Sequence, residues 1–317
     1  MSLALLFPGQ GSQTLGMGRE LADAKPEIMD IWKQAERISG LPLRGICWDG
    51  DEAALADTRY LQPALTTFNI CLWAEASKRV HPVCAAGHSL GEFSALAAGE
   101  ALSLQDVISI VTLRGELMAD ADPDGQGGMA AVLKLPLETV EKLAAAVAAE
   151  TGELLIVANR NTPTQFVVSG ARSAIAVMAE RVKSEKGRAV PLPVSGAFHS
   201  PMMQAAADEL SKALGRLSWN KPRFPIYSNY TAAAVSDGFS LAEVMPKQMV
   251  SPVLWIDSIR NMHAAGVRSW LELGPKAVVS KMVPACLKDG QAAESDAVGE
   301  EQIFFAGNAE HLAGLPG

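Results

Sequence analysis

A chain of 317 residues with 49% hydrophobic and 20% charged side chains is long enough to bury a large core and too apolar for disorder over most of its length. With 35 acidic against 27 basic side chains, its formal charge of −8 excludes a nucleic-acid binder that relies on counterion release. Its cysteines, Cys47, Cys71, Cys84 and Cys286, lack any Cys-x-x-Cys spacing, which excludes a zinc knuckle and a disulfide framework and leaves them as reduced core residues.

Leu3 to Phe7, LALLF, is an apolar run broken by Pro8-Gly9, which suits a buried strand feeding a tight loop. It is too short and lacks the basic flank of a signal peptide, and no stretch approaches the roughly 20 apolar residues of a membrane span, so a cytoplasmic protein without membrane contact is expected. Helical patterns follow near 26–39 and 61–79, then VCAA (83–86) reads as a buried strand and LGEFSALAAGEA as the helix it feeds. Strand, glycine turn and helix in this order predict a parallel α/β sheet.

DADPDGQGG (120–128) reads as a linker. After it the pattern gives strand (MAAVLKL), helix (LETVEKLAAAVAAE), two strands around the polar turn RNTPT, helix (ARSAIAVMAERVKSEKG) and strand (RAVPLPV). A β-α-β-β-α-β order in about 70 residues is the split βαβ arrangement of a ferredoxin-like unit. The expected organisation is thus a discontinuous α/β body, 1–125 and 198–317, interrupted by an α+β subdomain over 126–197. The body resumes with a helix through PMMQAAADELSKAL, a strand-like FPIYSN, a helix through IDSIRNMHAAG and a late strand SWLELG. The acidic, Gly/Ala-rich stretch 288–317 is expected to be a loosely packed extension.

Gly87-His88-Ser89-Leu90-Gly91 matches G-x-S-x-G, a sharp strand-to-helix turn that exposes the serine at its tip. The free N–H groups of the helix N-terminus, Leu90 first among them, can face a developing oxyanion. A serine hydroxyl needs a base within about 3 Å to act as a nucleophile near neutral pH. His88 adjoins Ser89, but neighbours on a sharp turn point apart, and a supporting role suits it better. His199, in PVSGAFHSPMM, follows the small unit's last strand and caps the next helix. Its position fits either the base or a hydrogen-bonded turn histidine. Arg114 lies inside the apolar stripe of Val107, Ile110, Val111, Leu117 and Met118, where a buried cation needs an anion. A structural carboxylate elsewhere in the chain, a snorkelling stem and a clamp for a substrate carboxylate all remain open on spacing. Gly9-Gln10-Gly11 lacks the third glycine of a dinucleotide fingerprint and the Gly-Lys of a P-loop, leaving a tight turn of N–H groups that can complete an oxyanion hole. No cluster suggests a metal.

FPGQGSQ (7–13), GHSLGEFSAL (87–96), RGELM (114–118), NRNTPTQFVVSG (159–170), AFHSPMM (197–203), QMVSPVLW (248–255) and ELGP (272–275) together resemble the acyltransferase family of fatty-acid and polyketide synthesis, and within it the discrete malonyl-transferring branch. The resemblance implies an α/β-hydrolase-like body with a short parallel sheet and the inserted ferredoxin-like subdomain. It implies Ser89 as the acylated nucleophile, His199 as its base and acid, Arg114 as the ligand of the malonyl carboxylate, and Gln10 and Leu90 as the oxyanion-hole donors. It further implies Gln248 as the residue whose backbone carbonyl orients the histidine, and Asn159 and Asn161 as a loop lining the cleft. Phe198 would crowd an α-methyl branch. The implied donor is malonyl-CoA and the implied acceptor is the phosphopantetheine thiol of an acyl carrier protein, with no bound cofactor and a monomeric chain. A serine esterase or thioesterase shares G-x-S-x-G but calls for a histidine near the C-terminal end and gives Arg114 no purpose. A transferase of malonate decarboxylation, a polyketide loading enzyme and a non-catalytic carrier-docking module complete the alternatives.

Overall fold

The structure, a computed structural model, describes residues 2–288 and 301–316. Among these, the strands are β1 (Leu3–Phe7), β2 (Pro82–Gly87), β3 (Gly127–Leu133), β4 (Leu155–Thr162), β5 (Gln165–Ala171), β6 (Arg188–Pro191), β7 (Ile226–Tyr227), β8 (Ala234–Val235), β9 (Ser269–Leu273) and β10 (Gln302–Ala306). They form two sheets. One has the order β10-β9-β1-β2-β7-β8 and is parallel from β10 to β7, with β8 antiparallel at its edge. The other has the order β4-β5-β3-β6 and is antiparallel throughout, the strand order of a ferredoxin-like sheet.

The fold class is therefore α/β, a parallel sheet accompanied by a smaller α+β sheet. β1 is buried at every residue, as a strand covered on both faces must be. Every described cysteine is free and buried. Two helices position the chemistry on this sheet. Gly91–Ala98 continues from β2, and Leu104–Asp120, capped by Ser103, packs against the long helix Thr58–Ala76. That contact is close enough that a side chain at Gly115 would meet the Thr58 carbonyl at 2.7 Å.

The C-terminal stretch departs from the expectation. Residues 289–300 lie outside the described residues. Beyond them, β10 extends the parallel sheet beside β9, and the helix Ala309–Ala313 buries Leu312. The physical reason is in QIFFA, whose apolar residues complete the sheet edge while the sheet supplies the backbone partners that an isolated strand lacks. FPIYSN, in turn, contributes only Ile226 and Tyr227 as strand. The chain then turns, which frees Asn229 for the role described below.

Candidate active site

The turn between β2 and Gly91–Ala98 is tight because its glycines leave no room for side chains. A Cβ at Gly87 would sit 1.9 Å from the Gly91 carbonyl carbon, and one at Gly91 would sit 2.2 Å from the Phe7 carbonyl oxygen. Ser89 adopts a left-handed backbone, φ 51°, which costs on the order of 1–3 kcal/mol for a non-glycine residue. Asn229 holds that conformation from both sides: its Oδ1 accepts the Ser89 N–H at 2.6 Å and its Nδ2 donates to the Gly87 carbonyl at 2.6 Å.

Ser89 Oγ lies 2.7 Å from His199 Nε2. On the other side of the ring, Nδ1 lies 2.9 Å from the Gln248 carbonyl oxygen, which makes Nδ1 the protonated nitrogen and leaves Nε2 free to accept the serine proton. Both the tautomer and the ring orientation are set by a backbone carbonyl, with no carboxylate in the triad position. His199 also carries a left-handed backbone, φ 57°, in the turn before the short helix Pro201–Met203. Burial first, then the nearby Arg114 charge, holds its imidazole down at about 3, well below the ordinary histidine range. The ring is therefore neutral at physiological pH, the form a base requires.

Arg114 is 1% exposed and has no carboxylate within ion-pair distance among the described residues. Its guanidinium donates to Gln62 Oε1 at 2.8 Å, Gln248 Oε1 at 3.1 Å and Ser89 Oγ at 3.2 Å, while Nε has no acceptor. Among the described residues no structural carboxylate pairs with it, and its buried guanidinium does not snorkel to solvent. Burial pulls the guanidinium down to about 10, opposed by the charge of Glu92. It stays cationic, faces Ser89 Oγ and is surrounded by neutral acceptors.

His88 turns away from Ser89. Its Nε2 lies 2.8 Å from Asn161 Oδ1, its ring tilts against Trp255, and burial lowers its pKa. Asn159 lies on β4 where the register shifts, and the adjoining backbone pairs with Val253. The N–H groups of Gln10 and Leu90 have no protein acceptor among the described residues, and both residues border the same cleft as Ser89. That cleft has a volume of about 370 Å³ and lies between the two sheets, with Met129 and Val167 on the small-sheet side and Phe198 beside His199. Among the described residues no group of His, Cys, Asp and Glu side chains is arranged to hold a metal, and no helix is long and apolar enough to cross a membrane.

Three residues at the site escaped sequence reasoning: Gln62, Glu92 and Asn229. Glu92 carried a signal, as a lone carboxylate in the otherwise apolar helix GEFSALAA, buried nearly all round. Gln62 and Asn229 reach the site only through tertiary contacts.

A nucleophile elbow on a parallel α/β sheet, an inserted ferredoxin-like sheet and a serine–histidine pair define an acyl-transfer class of enzyme. The chain belongs to the acyl transferase domain family, whose profile matches residues 4–303. It is 38% identical over 283 residues to the malonyl CoA-acyl carrier protein transacylase of Bacillus subtilis, covering 89% of both chains. Among solved structures, the acyl carrier protein S-malonyltransferase of Vibrio cholerae superposes with a TM-score of 0.90 at 32% identity, covering 99% of each chain. A malonyl-transacylase solved in complex with a type II polyketide-synthase acyl-carrier protein superposes at 0.91 with 29% identity, covering 99% of this chain and 98% of that one.

Proposed function

We propose that this protein transfers a malonyl group from malonyl-CoA to the phosphopantetheine thiol of an acyl carrier protein through an ester on Ser89. The observation that carries the reading is Arg114: a fully buried cation without a carboxylate partner among the described residues, 3.2 Å from the serine oxygen. An acyl group that itself bears a carboxylate supplies the missing anion, and a bidentate guanidinium–carboxylate pair is worth more than neutral hydrogen bonds.

In the first step Ser89 Oγ attacks the thioester carbonyl carbon as its proton passes to His199 Nε2. The tetrahedral oxygen takes the N–H groups of Gln10 and Leu90. The C–S bond then breaks, and His199 returns the proton to the departing coenzyme A thiolate. In the second step the phosphopantetheine thiol gives its proton to His199 and attacks the ester carbonyl, and Ser89 leaves as the protonated hydroxyl. Gln248 holds the histidine through its carbonyl, and His88, Asn159 and Asn161 shape the cleft floor. Phe198 narrows the room beside the reacting carbon. The catalytic body is assigned to 1–125 and 198–317 and the subdomain to 126–197, in a monomeric cytoplasmic protein without a bound cofactor.

The test is incubation with malonyl-CoA followed by intact-mass and peptide analysis. One malonyl group on Ser89, removed by holo acyl carrier protein, is the expected result. Release of free malonate with no acyl carrier product overturns it in favour of a thioesterase.

A further inference from the structure

Glu92 lies in the first turn of the helix that follows the elbow, fully buried, and makes no ion pair among the described residues. Its Oε1 accepts the backbone N–H of Asn229 at 3.2 Å, and its Oε2 accepts Gln248 Nε2 at 2.7 Å. Each partner leads to a different part of the site. Asn229 braces the strained Ser89 backbone through its side chain. Gln248 supplies the carbonyl that orients His199, and its side-chain oxygen accepts from Arg114.

The direction of the Gln248 amide follows from this. Its nitrogen lies between two acceptors, the Glu92 carboxylate and the Ser89 carbonyl at 2.9 Å, so its oxygen must face the guanidinium. A donor at position 92 would favour the flipped amide and set an NH₂ group against Arg114, donor against donor. Position 92 therefore needs a group that only accepts. A glutamine could still take the Asn229 N–H, but its own NH₂ would then meet the NH₂ of Gln248. Burial pushes the Glu92 carboxyl up to about 7, against the lowering pull of Gln248, Asn229 and the Arg114 charge.

Resting on the malonyl-transfer reading, we infer that Glu92 is the positioning residue that couples the two specificities of the site: through Gln248 it fixes the carboxylate-binding geometry of Arg114, and through Asn229 it fixes the nucleophile. Glu92 touches no reacting atom. Its effect is read through the residues it orients, and the two arms of the relay are separable.

The experiment measures kcat and KM for malonyl and acetyl transfer from their coenzyme A thioesters to acyl carrier protein, together with Tm, in the unaltered protein, E92Q, N229A and Q248M. In E92Q both transfers fall, and malonyl transfer falls about tenfold further than acetyl, chiefly through KM. Q248M keeps the backbone carbonyl that orients His199 but cuts the side-chain link between Glu92 and Arg114, so its malonyl-to-acetyl ratio falls about as far as that of E92Q. N229A lowers kcat for both donors alike. An E92Q or a Q248M protein whose malonyl-to-acetyl ratio stays within about twofold of the unaltered one overturns the inference. Should E92Q fail to fold, Q248M decides: a lowered malonyl-to-acetyl ratio supports the coupling, while an unchanged ratio, or failure of both to fold, assigns Glu92 to stability alone. Absence of malonyl transfer by the unaltered protein overturns the function reading and this inference with it, whereas normal transfer with an unchanged E92Q ratio overturns the inference alone.

Discussion

The two walls of the cleft are built on opposite terms. The wall at the ends of the parallel strands carries Ser89, Leu90, Gln10 and Arg114, with a strained serine backbone and polar groups tied into a hydrogen-bonded network. The facing wall, on the antiparallel sheet, offers Met129, Ala131 and Val167, relieved only by the amides of Asn159, Asn161 and Gln165. Ligand sites in open α/β sheets lie beyond the carboxyl ends of the strands, where helix N-termini and loops converge. The antiparallel wall contributes shape and apolar surface. The contrast implies that chemistry and carboxylate selection reside in one wall, while the other tunes affinity for any acyl group.

The largest test of that division is Ser89→Ala. Loss of the nucleophile should cut transfer by at least about a thousandfold and abolish the covalent malonyl adduct by intact mass, with Tm little changed. His199→Ala should cost about 10²- to 10⁴-fold and leave Ser89 unacylated on the time scale of turnover.

Arg114→Ala comes next. Removing charge-assisted hydrogen bonds worth about 1.5–3 kcal/mol should lower malonyl kcat/KM by roughly 10- to 150-fold and acetyl transfer much less. An equal loss for both donors would place carboxylate selection elsewhere. The same variant tests the electrostatics of the histidine. Burial first, and the Arg114 charge second, lower the His199 pKa to about 3 in the folded state, below that of the unfolded chain, and the ring stays neutral as pH falls through the ordinary histidine range. In Arg114→Ala the midpoint should move upward, read from the His199 ring signals in an NMR titration. A midpoint that stays put or moves down contradicts the assignment of that shift to the guanidinium.

Local patterns made most of the frame legible. LALLF and SWLELG announce central parallel strands because both their faces are buried, VCAA does so from Cys84 onward, and the alternation through residues 129–194 carries the βαββαβ order. Ser89 and Arg114 stood out because a glycine-flanked serine and a cation on an apolar stripe each violate the local pattern. Asn229 and Gln62 did not, because an asparagine in a turn and a glutamine in a helix are ordinary locally. Their roles arise from contacts with Ser89 and Arg114 that span 140 and 52 residues. β10 was missed for a related reason: its stability comes from pairing with β9, and the sequence around IFF is too polar and too glycine-rich to indicate a core strand.

Phe198 lies at the seam of the two walls, 5% exposed and next to His199. Phe198→Leu opens space for an α-methyl branch. It should raise methylmalonyl relative to malonyl transfer by about tenfold, within the 1–3 kcal/mol that one methyl group is worth in a pocket. A competition assay with the two thioesters reads the ratio directly, and an unchanged ratio removes Phe198 from acyl selection.

The smallest effect should come from the antiparallel wall itself. Val167, 6% exposed, borders the cleft through an apolar side chain alone, so Val167→Ala removes two methyl groups of contact at about 0.8 kcal/mol each. Both malonyl and acetyl transfer should fall together by no more than about fifteenfold, because that contact is made to whatever acyl chain or pantetheine arm occupies the cleft and does not distinguish a carboxylate. The decisive quantity is the ratio of kcat/KM for the two donors. If it holds constant in Val167→Ala while collapsing in Arg114→Ala, selection belongs to the parallel-sheet wall. If Val167→Ala shifts it by as much as Arg114→Ala does, then the apolar wall also positions the malonyl group against the guanidinium, and the division between the two walls fails.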